Sequence, residues 1–200
     1  MNSRKIVNLY LTHASMMLIF RWYYWDIINI ISPLLIIFPL LAAVIFSVCF
    51  LAYAMFYAAK HCTALKSMAY APLVIICITI AMALFFPFTK MTLELDFLMN
   101  FKARNTVVTL IENGTLQPQT ENTNLIKLPW YCKHLSKGGG EVKIVNYGEQ
   151  KFYLFYTFRG FVDNYSGFIY LPDEQVVDAA KNYFIQVLKM YDGWYYCAST

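Results

Sequence analysis

Charged side chains are scarce in this chain. Asp, Glu, Lys and Arg make up 14% of its 200 residues, where a soluble domain carries about a quarter. The shortage is local: residues 27–59 and 67–89 contain no charged residue at all. A helix crosses a bilayer core with roughly 20 apolar residues, so each gap is long enough to span, and a simple soluble domain is excluded. Histidine is nearly missing, with three in the chain and only His134 beyond residue 90, which leaves little for acid–base or metal chemistry. Neither a Gly-x-Ser-x-Gly elbow nor a His-Glu-x-x-His pair occurs. A secretory leader is not expected either: the apolar run starts too late, is too long and lacks a small-residue cleavage site.

What the chain does have is apolar weight, 59% of residues, with 18% aromatic. Its net charge of +4 does not point to nucleic acid. Residues 1–88 carry five basic residues and one acidic, whereas residues 89–200 carry 11 of each. The surplus therefore flanks the membrane segments, where Lys and Arg set orientation and meet anionic lipid. The tail has no basic patch for phosphates.

Residues 1–26 are apolar but broken by Asn8, His13, Ser15 and Arg21. Helical spacing gathers Ile6, Leu9, Tyr10, Met17, Phe20 and Tyr24 on one stripe, which predicts an interfacial amphipathic helix; a third, imperfect span is the alternative, in which Arg21 and His13 would be costly at depth. The run Trp22-Tyr23-Tyr24-Trp25 suits the headgroup layer. Residues 27–88 predict a transmembrane hairpin. Its spans cover about residues 34–57 and 68–88, with Pro33 and Pro39 near the first start and residues 60–67 as the connection. Cys49 and Cys77 fall within the spans as small apolar residues. A hairpin puts the N-terminus and the tail on one side. Counted literally, Arg4, Lys5, Arg21, Lys90, Lys102 and Arg104 against Lys60 and Lys66 put the tail in the cytoplasm; the short acid-free connection and two tail cysteines that could bridge, Cys132 and Cys197, favour the outside instead.

Residues 89–200 predict a small α+β domain with a mainly antiparallel sheet. A helix over 96–114 starts at a capping Asp96 and stops at Glu112-Asn113-Gly114. Residues 115–129, with Pro118 and Pro129, form a connection. After Gly138-Gly139-Gly140 the apolar period falls to two. Residues 152–158 are apolar on both faces, which predicts a central strand covered on each side. A further strand over 167–171 closed by Pro172, a short helix over 174–183 and a final hairpin across Tyr191-Asp192-Gly193 complete the pattern.

The tail also resembles a group of uncharacterised bacterial membrane proteins that have a two-span anchor and a small C-terminal α+β domain. The resemblance runs through Leu95-Asp96-Phe97-Leu98-Met99-Asn100, Val107-Val108-Thr109-Leu110-Ile111-Glu112-Asn113-Gly114, Leu135-Ser136-Lys137-Gly138-Gly139-Gly140-Glu141 and Phe158-Arg159-Gly160. It continues in Asp163-Asn164-Tyr165-Ser166-Gly167-Phe168 and Trp194-Tyr195-Tyr196. It implies a shared fold in bacteria and no activity.

Four groups of residues could carry chemistry. Lys137 with the three glycines lacks the helix that a phosphate loop requires, since a strand follows, so a hairpin entry is expected. The segment from Arg159 to Gly167 is the strongest binding candidate. Arg159, Asp163, Asn164, Tyr165 and Ser166 offer a guanidinium, a carboxylate, an amide and two hydroxyls in one loop, although an Asx turn with an Arg159–Asp163 pair needs the same residue types. Cys132 and His134 lie two apart but without a metal's further ligands, and a structural thiol or a Cys132–Cys197 bridge is expected instead. Asp173-Glu174 is a helix start rather than an acid pair. No catalytic residue, metal or cofactor is expected. The predicted function is a multi-pass inner-membrane, non-enzymatic binding protein whose C-terminal domain engages a protein partner at the bilayer surface. One concrete form is a toxin-immunity or exclusion protein; the alternative is an envelope sensor that takes a small ligand in the 159–167 loop.

Overall fold

A computed structural model describes residues 3–31, 34–118, 124–147, 150–160, 164–171 and 175–199. Pro33, Asp163 and the segment Pro172-Asp173-Glu174 lie outside the described residues. The chain divides into two compact units, Met1–Lys90 and Met91–Thr200.

The first unit is helical: α1 (Ser3–Trp22), α2 (Tyr24–Ile31), α3 (Ile37–Leu65), a 3-10 turn (Lys66–Tyr70) and α4 (Ala71–Phe85). The stretch Ile37–Phe85 is long and apolar enough to cross a membrane. Only 11% of its most apolar window is buried, whereas the core helix of a soluble protein would be covered. The boundaries differ from the sequence expectation. α3 continues through the supposed connection to Leu65, because Lys60 and His61 suit a helix as well as a loop. The chain reverses instead at Lys66, the one non-glycine with positive φ among the described residues (48°). Pro72 is tolerated in the first turn of α4, where its missing N–H would have no helical partner.

α1 also departs from expectation. It does not lie apart as an amphipathic helix but packs against α3 and α4, with Ile6 and Tyr10 each 1% exposed in a cluster with Ala54, Tyr57 and Ile76. Tyr10 donates its hydroxyl to the Phe50 carbonyl at 2.6 Å. Three residues on, His13 stacks on Phe50 at 4.2 Å and meets Ser47 Oγ at 3.4 Å. Ser47 spends its own proton on Ala43 O at 2.8 Å, so the imidazole N–H is the donor to Ser47. Advancing along α1 thus means going back along α3: the two helices are antiparallel. His13, one of the two groups that seemed too costly at depth, finds its partners on the neighbouring helix.

The second unit holds most of α5 (Phe88–Glu112), a six-stranded sheet and α6 (Gln175–Tyr183). The strands are β1 (Leu125–Lys127), β2 (Glu141–Tyr147), β3 (Gln150–Arg159), β4 (Tyr165–Tyr170), β5 (Gln186–Tyr191) and β6 (Trp194–Ala198), with a second 3-10 turn at Trp130–Leu135. Their order is β1-β2-β3-β4-β6-β5, and every pairing is antiparallel. β3 lies between β2 and β4, and its alternating residues enter two different cores. Tyr153 and Phe155 join Val142, Phe168 and Trp194 under Phe97, Val107, Val108 and Ile111 of α5. Phe152, Leu154 and Tyr156 join Val145, Ile169 and Tyr195 beside Ala180 of α6 and Phe184. This explains a strand that is apolar on both faces: helices cover each side. The β5–β6 hairpin turns on Asp192-Gly193, with Gly193 at φ +73°, the backbone that favours glycine in two-residue turns.

Two strands differ from expectation in this unit, and α5 starts at Phe88 rather than at Asp96. β1 pairs with β2 at Ile126↔Val142, inside the segment expected to be a bare connection. Residues 167–171 were too short a choice for β4, which starts at Tyr165 because Tyr165 and Ser199 exchange bonds, Tyr165 N donating to Ser199 Oγ at 3.0 Å and Ser199 N to Tyr165 O at 2.9 Å. Gly167 marks a tight point. A Cβ there would lie 2.3 Å from Phe155 O and 2.8 Å from Leu154 Cδ1, beside the register shift between Tyr156 and Phe158. Glycine in a strand interior commonly serves such a close approach.

Candidate functional site

Arg159, Asn164, Tyr165 and Ser166 flank the connection between β3 and β4. Arg159 ends β3 and stands opposite Tyr165. Its guanidinium turns toward the glycine turn, donating to Glu141 Oε2 at 2.7 Å and to Gly138 O at 3.4 Å, and lies 5.2 Å over the Tyr156 ring. The expected partner Asp163 is outside the described residues; the pair seen is Arg159–Glu141. Cross-strand proximity supplies that partner, and local turn chemistry had no way to show it. Asn164 is exposed and its carbonyl accepts from Gly160 N at 2.8 Å. Ser166 Oγ is bonded to Thr157 Oγ1 at 2.9 Å.

Tyr165 is buried, 8% exposed, against the rings of Tyr156 and Phe184. Lys143 Nζ lies 4.8 Å over its ring and 3.5 Å from its hydroxyl. Burial raises its pKa, and a hydrogen bond with Tyr183 adds to the rise. Burial also raises Tyr156, with Arg159 opposing. These phenols stay neutral and act as donors and packing surfaces. Among the described residues of the 159–167 segment, the side chains of Arg159 and Ser166 are engaged in internal bonds.

The expected Cys132–Cys197 bridge is contradicted. Both thiols are free. Cys197 is 0% exposed in the core on the α6 side, while Cys132 packs on the α5 side. The sheet itself separates them. Cys132 and His134 are likewise not aligned: they sit in a 3-10 turn, where residues two apart point about 240° apart. Cys132 is half-buried and His134 exposed. Among the described residues no group of three His, Cys, Asp or Glu converges as a metal site.

Burial pushes the Cys197 thiol above its usual 9.0, and Tyr165 above its usual 10.0. In both cases the folded state holds its proton to higher pH than the unfolded chain. The stability they confer is therefore complete below about pH 9 and is lost as pH rises, first when unfolded thiol ionises and then unfolded phenol. Thermal unfolding followed from pH 7 to 11 should show a flat midpoint up to about pH 9 and a decline above it. At neutral pH a maleimide should modify Cys132 slowly, since burial pushes its thiol up, and Cys197 only after denaturation, as read on the labelled peptides.

Among the exposed apolar residues of this unit, two adjacent aromatics project from one turn. The second 3-10 turn presents Trp130 at 82% exposure and Tyr131 at 57%. Their rings meet edge to face at 5.9 Å. The turn adjoins the glycine turn, since a Cβ on Gly140 would strike Lys133 Cγ at 2.7 Å. Gly138, Gly139 and Gly140 all have positive φ (71°, 121° and 72°), so this turn needs glycine at each place. Ser136 locks it to the sheet, bonding Glu141 O and accepting from Tyr156 N at 2.9 Å. A rigid base thus carries two exposed aromatics, with Lys133 and the Arg159–Glu141 pair next to them. The sequence held Trp130 and Tyr131 among many aromatics; only burial separates them from the core set.

No family model, curated protein or solved structure matches the chain. The surface is therefore interpreted from its own residues.

Proposed function

We propose that this chain is a multi-pass membrane protein, non-enzymatic, whose C-terminal domain binds a protein partner at the bilayer surface. A bacterial toxin-immunity or exclusion protein is the concrete form we favour. The observation that carries this reading is the Trp130–Tyr131 pair: two large aromatics held out from a fixed turn, beside the internally paired Arg159 and Glu141. Exposed Trp and Tyr supply large contact area at low entropy cost and dominate binding hot spots. A photo-crosslinking residue at position 130 should give a discrete protein adduct in intact cells. The same probe at exposed Thr106 on α5 should not. With a partner in hand, replacing both Trp130 and Tyr131 with Ala should weaken binding by about 2 kcal/mol or more. Equal adducts at both positions would remove this surface from consideration.

Helix directions support a membrane arrangement with three crossings in place of the two-span hairpin. α1 is antiparallel to α3, and α3 and α4 pack together in one cluster with it. At 1.5 Å per residue the 20 residues of α1 cover about 30 Å, the thickness of the hydrocarbon core. The N-terminus then shares a side with the α3–α4 turn, and the tail lies opposite. Arg4, Lys5, Lys60 and Lys66 fall on the first side without an acid; Arg21, Asp26 and Lys90 fall on the second. Lys and Arg mark the cytoplasmic side, so the C-terminal domain is outside. The placement matches the sequence expectation, but loop charge carries it and a disulfide does not. Alkaline phosphatase fused after Thr200 should be active, and the same reporter fused within residues 60–66 inactive. The reverse pattern would overturn the arrangement.

A further inference from the structure

α1 ends where the apolar run of α4 ends, and the same residues meet there. Trp22 packs edge to face on Phe88 at 6.5 Å, and Trp25 Nε1 donates to Thr89 Oγ1 at 2.9 Å. Tyr24 stands against Trp25 and Phe20 at 5.8 and 6.1 Å, and Phe86 against Phe88 at 4.7 Å. Arg21 sits inside this group, its guanidinium carbon 5.6 Å over the Tyr24 ring and 5.8 Å over the Phe88 ring. Two chain segments thus place a cation, Trp, Tyr and a hydroxyl at one level, the composition of a headgroup boundary.

Arg21 is the unusual member. Its Nε is buried with no hydrogen-bond partner, and among the described residues no carboxylate pairs with it. Aromatic faces attract a guanidinium but do not neutralise it. The side chain is half-buried and only its Nε is enclosed, so the outer nitrogens of its planar fork are open to a phosphate. An anion for them is available from outside the chain, at the depth where lipid phosphates lie.

We propose that Arg21, framed by Trp22, Tyr24 and Phe88, is a binding site for the phosphate of an anionic phospholipid. The proposal rests on the membrane reading given above. The test uses the full chain, with Trp130→Phe as background to silence the exposed indole, reconstituted in phosphatidylcholine vesicles containing either brominated phosphatidylglycerol or brominated phosphatidylcholine. Quenching of the Trp22 and Trp25 emission should reach its midpoint at about fivefold lower mole fraction of the anionic lipid, the effect of one basic residue near an anionic surface. Arg21→Gln should bring the two midpoints together, and Arg21→Lys should restore most of the difference. Added inorganic phosphate should leave the quenching unchanged; displacement by it would overturn a lipid source. Equal midpoints in the unsubstituted chain, or a preference that survives Arg21→Gln, would overturn the site while vesicle flotation still upholds the membrane reading. Failure to float would overturn both.

Discussion

Replacing Arg104 with Ala is expected to destabilise the C-terminal domain by about 3–5 kcal/mol, the usual cost of removing one partner of a buried ion pair. Arg104 is only 1% exposed, a rare place for a guanidinium. It is tolerated because each direction is answered. Nη2 meets Asp96 Oδ2 at 2.5 Å, Nη1 donates to Asp96 O at 3.1 Å, and Nε and Nη2 donate to Leu135 O at 3.4 and 3.3 Å. The Phe168 ring covers its face at 4.6 Å. Burial lowers its pKa and Asp96 opposes that, so the charge persists. The side chain ties α5 to the end of the second 3-10 turn and so sets the base from which Trp130 and Tyr131 project. Truncation leaves the Leu135 carbonyl unpaired in the core, at about 1–3 kcal/mol on its own. For a domain of this size the loss should lower the melting temperature by roughly 10–20 °C, read by hydrogen exchange of the β3 and β4 peptides. Arg104→Lys keeps the charge but loses the fork and should fall between. Asp96→Asn should cost less than Arg104→Ala, because Asp96 is 31% exposed and water screens what remains. A change under about 1 kcal/mol for Arg104→Ala would show that the pair is a surface contact in solution.

The same pair shows what the sequence could and could not convey. Asp96 looked like a helix cap because an Asp before an apolar stripe commonly is one. It lies instead mid-helix in α5, serving a guanidinium eight residues along, a distance outside the spacing of ordinary helical pairs. Strong local periods were legible: the two-faced β3, the Asp192-Gly193 hairpin and the apolar stripe of α5 each follow from side-chain direction alone. β1 was not, since Leu125–Lys127 is three residues long and no period can be counted over three. Nor was the separation of Cys132 from Cys197, which depends on which face each thiol takes once the sheet is built. The packing of α1 was not legible for a different reason. His13 looks costly to bury until Phe50 and Ser47 on α3 are placed beside it. At the candidate site, the Arg159–Glu141 pair was not legible, because Glu141 is 18 residues away in sequence and comes close only across the β2–β3 pair.

Trp194→Ala should cost about 3–5 kcal/mol, as expected for truncating a fully buried aromatic in a core that cannot collapse around the space. Trp194 is 0% exposed and heads the fully buried side chains by size. Its ring lies 5.3 Å from Tyr170, 5.5 Å from Phe155 and 5.9 Å from Phe97. It therefore touches β3, β4 and α5 from its place on β6. Its Nε1 donates to Asn105 Oδ1 at 2.8 Å, which gives the buried N–H the partner it requires. That bond and the packing can be separated. Trp194→Phe keeps much of the apolar contact but orphans the Asn105 oxygen, and Asn105→Ala orphans the indole N–H; each should cost about 1–3 kcal/mol. Combined, they should cost less than their sum, because the double variant leaves neither group unpaired. Strict additivity would mean that the bond is not made in solution. Because Asn105 follows Arg104 directly on α5, one turn of helix grips the sheet through a cation on one strand and an amide on another. Loss of either grip should loosen the α5 face before the α6 face, so amides of β2 and β3 facing α5 should exchange faster while those around Ala180 and Phe184 change least.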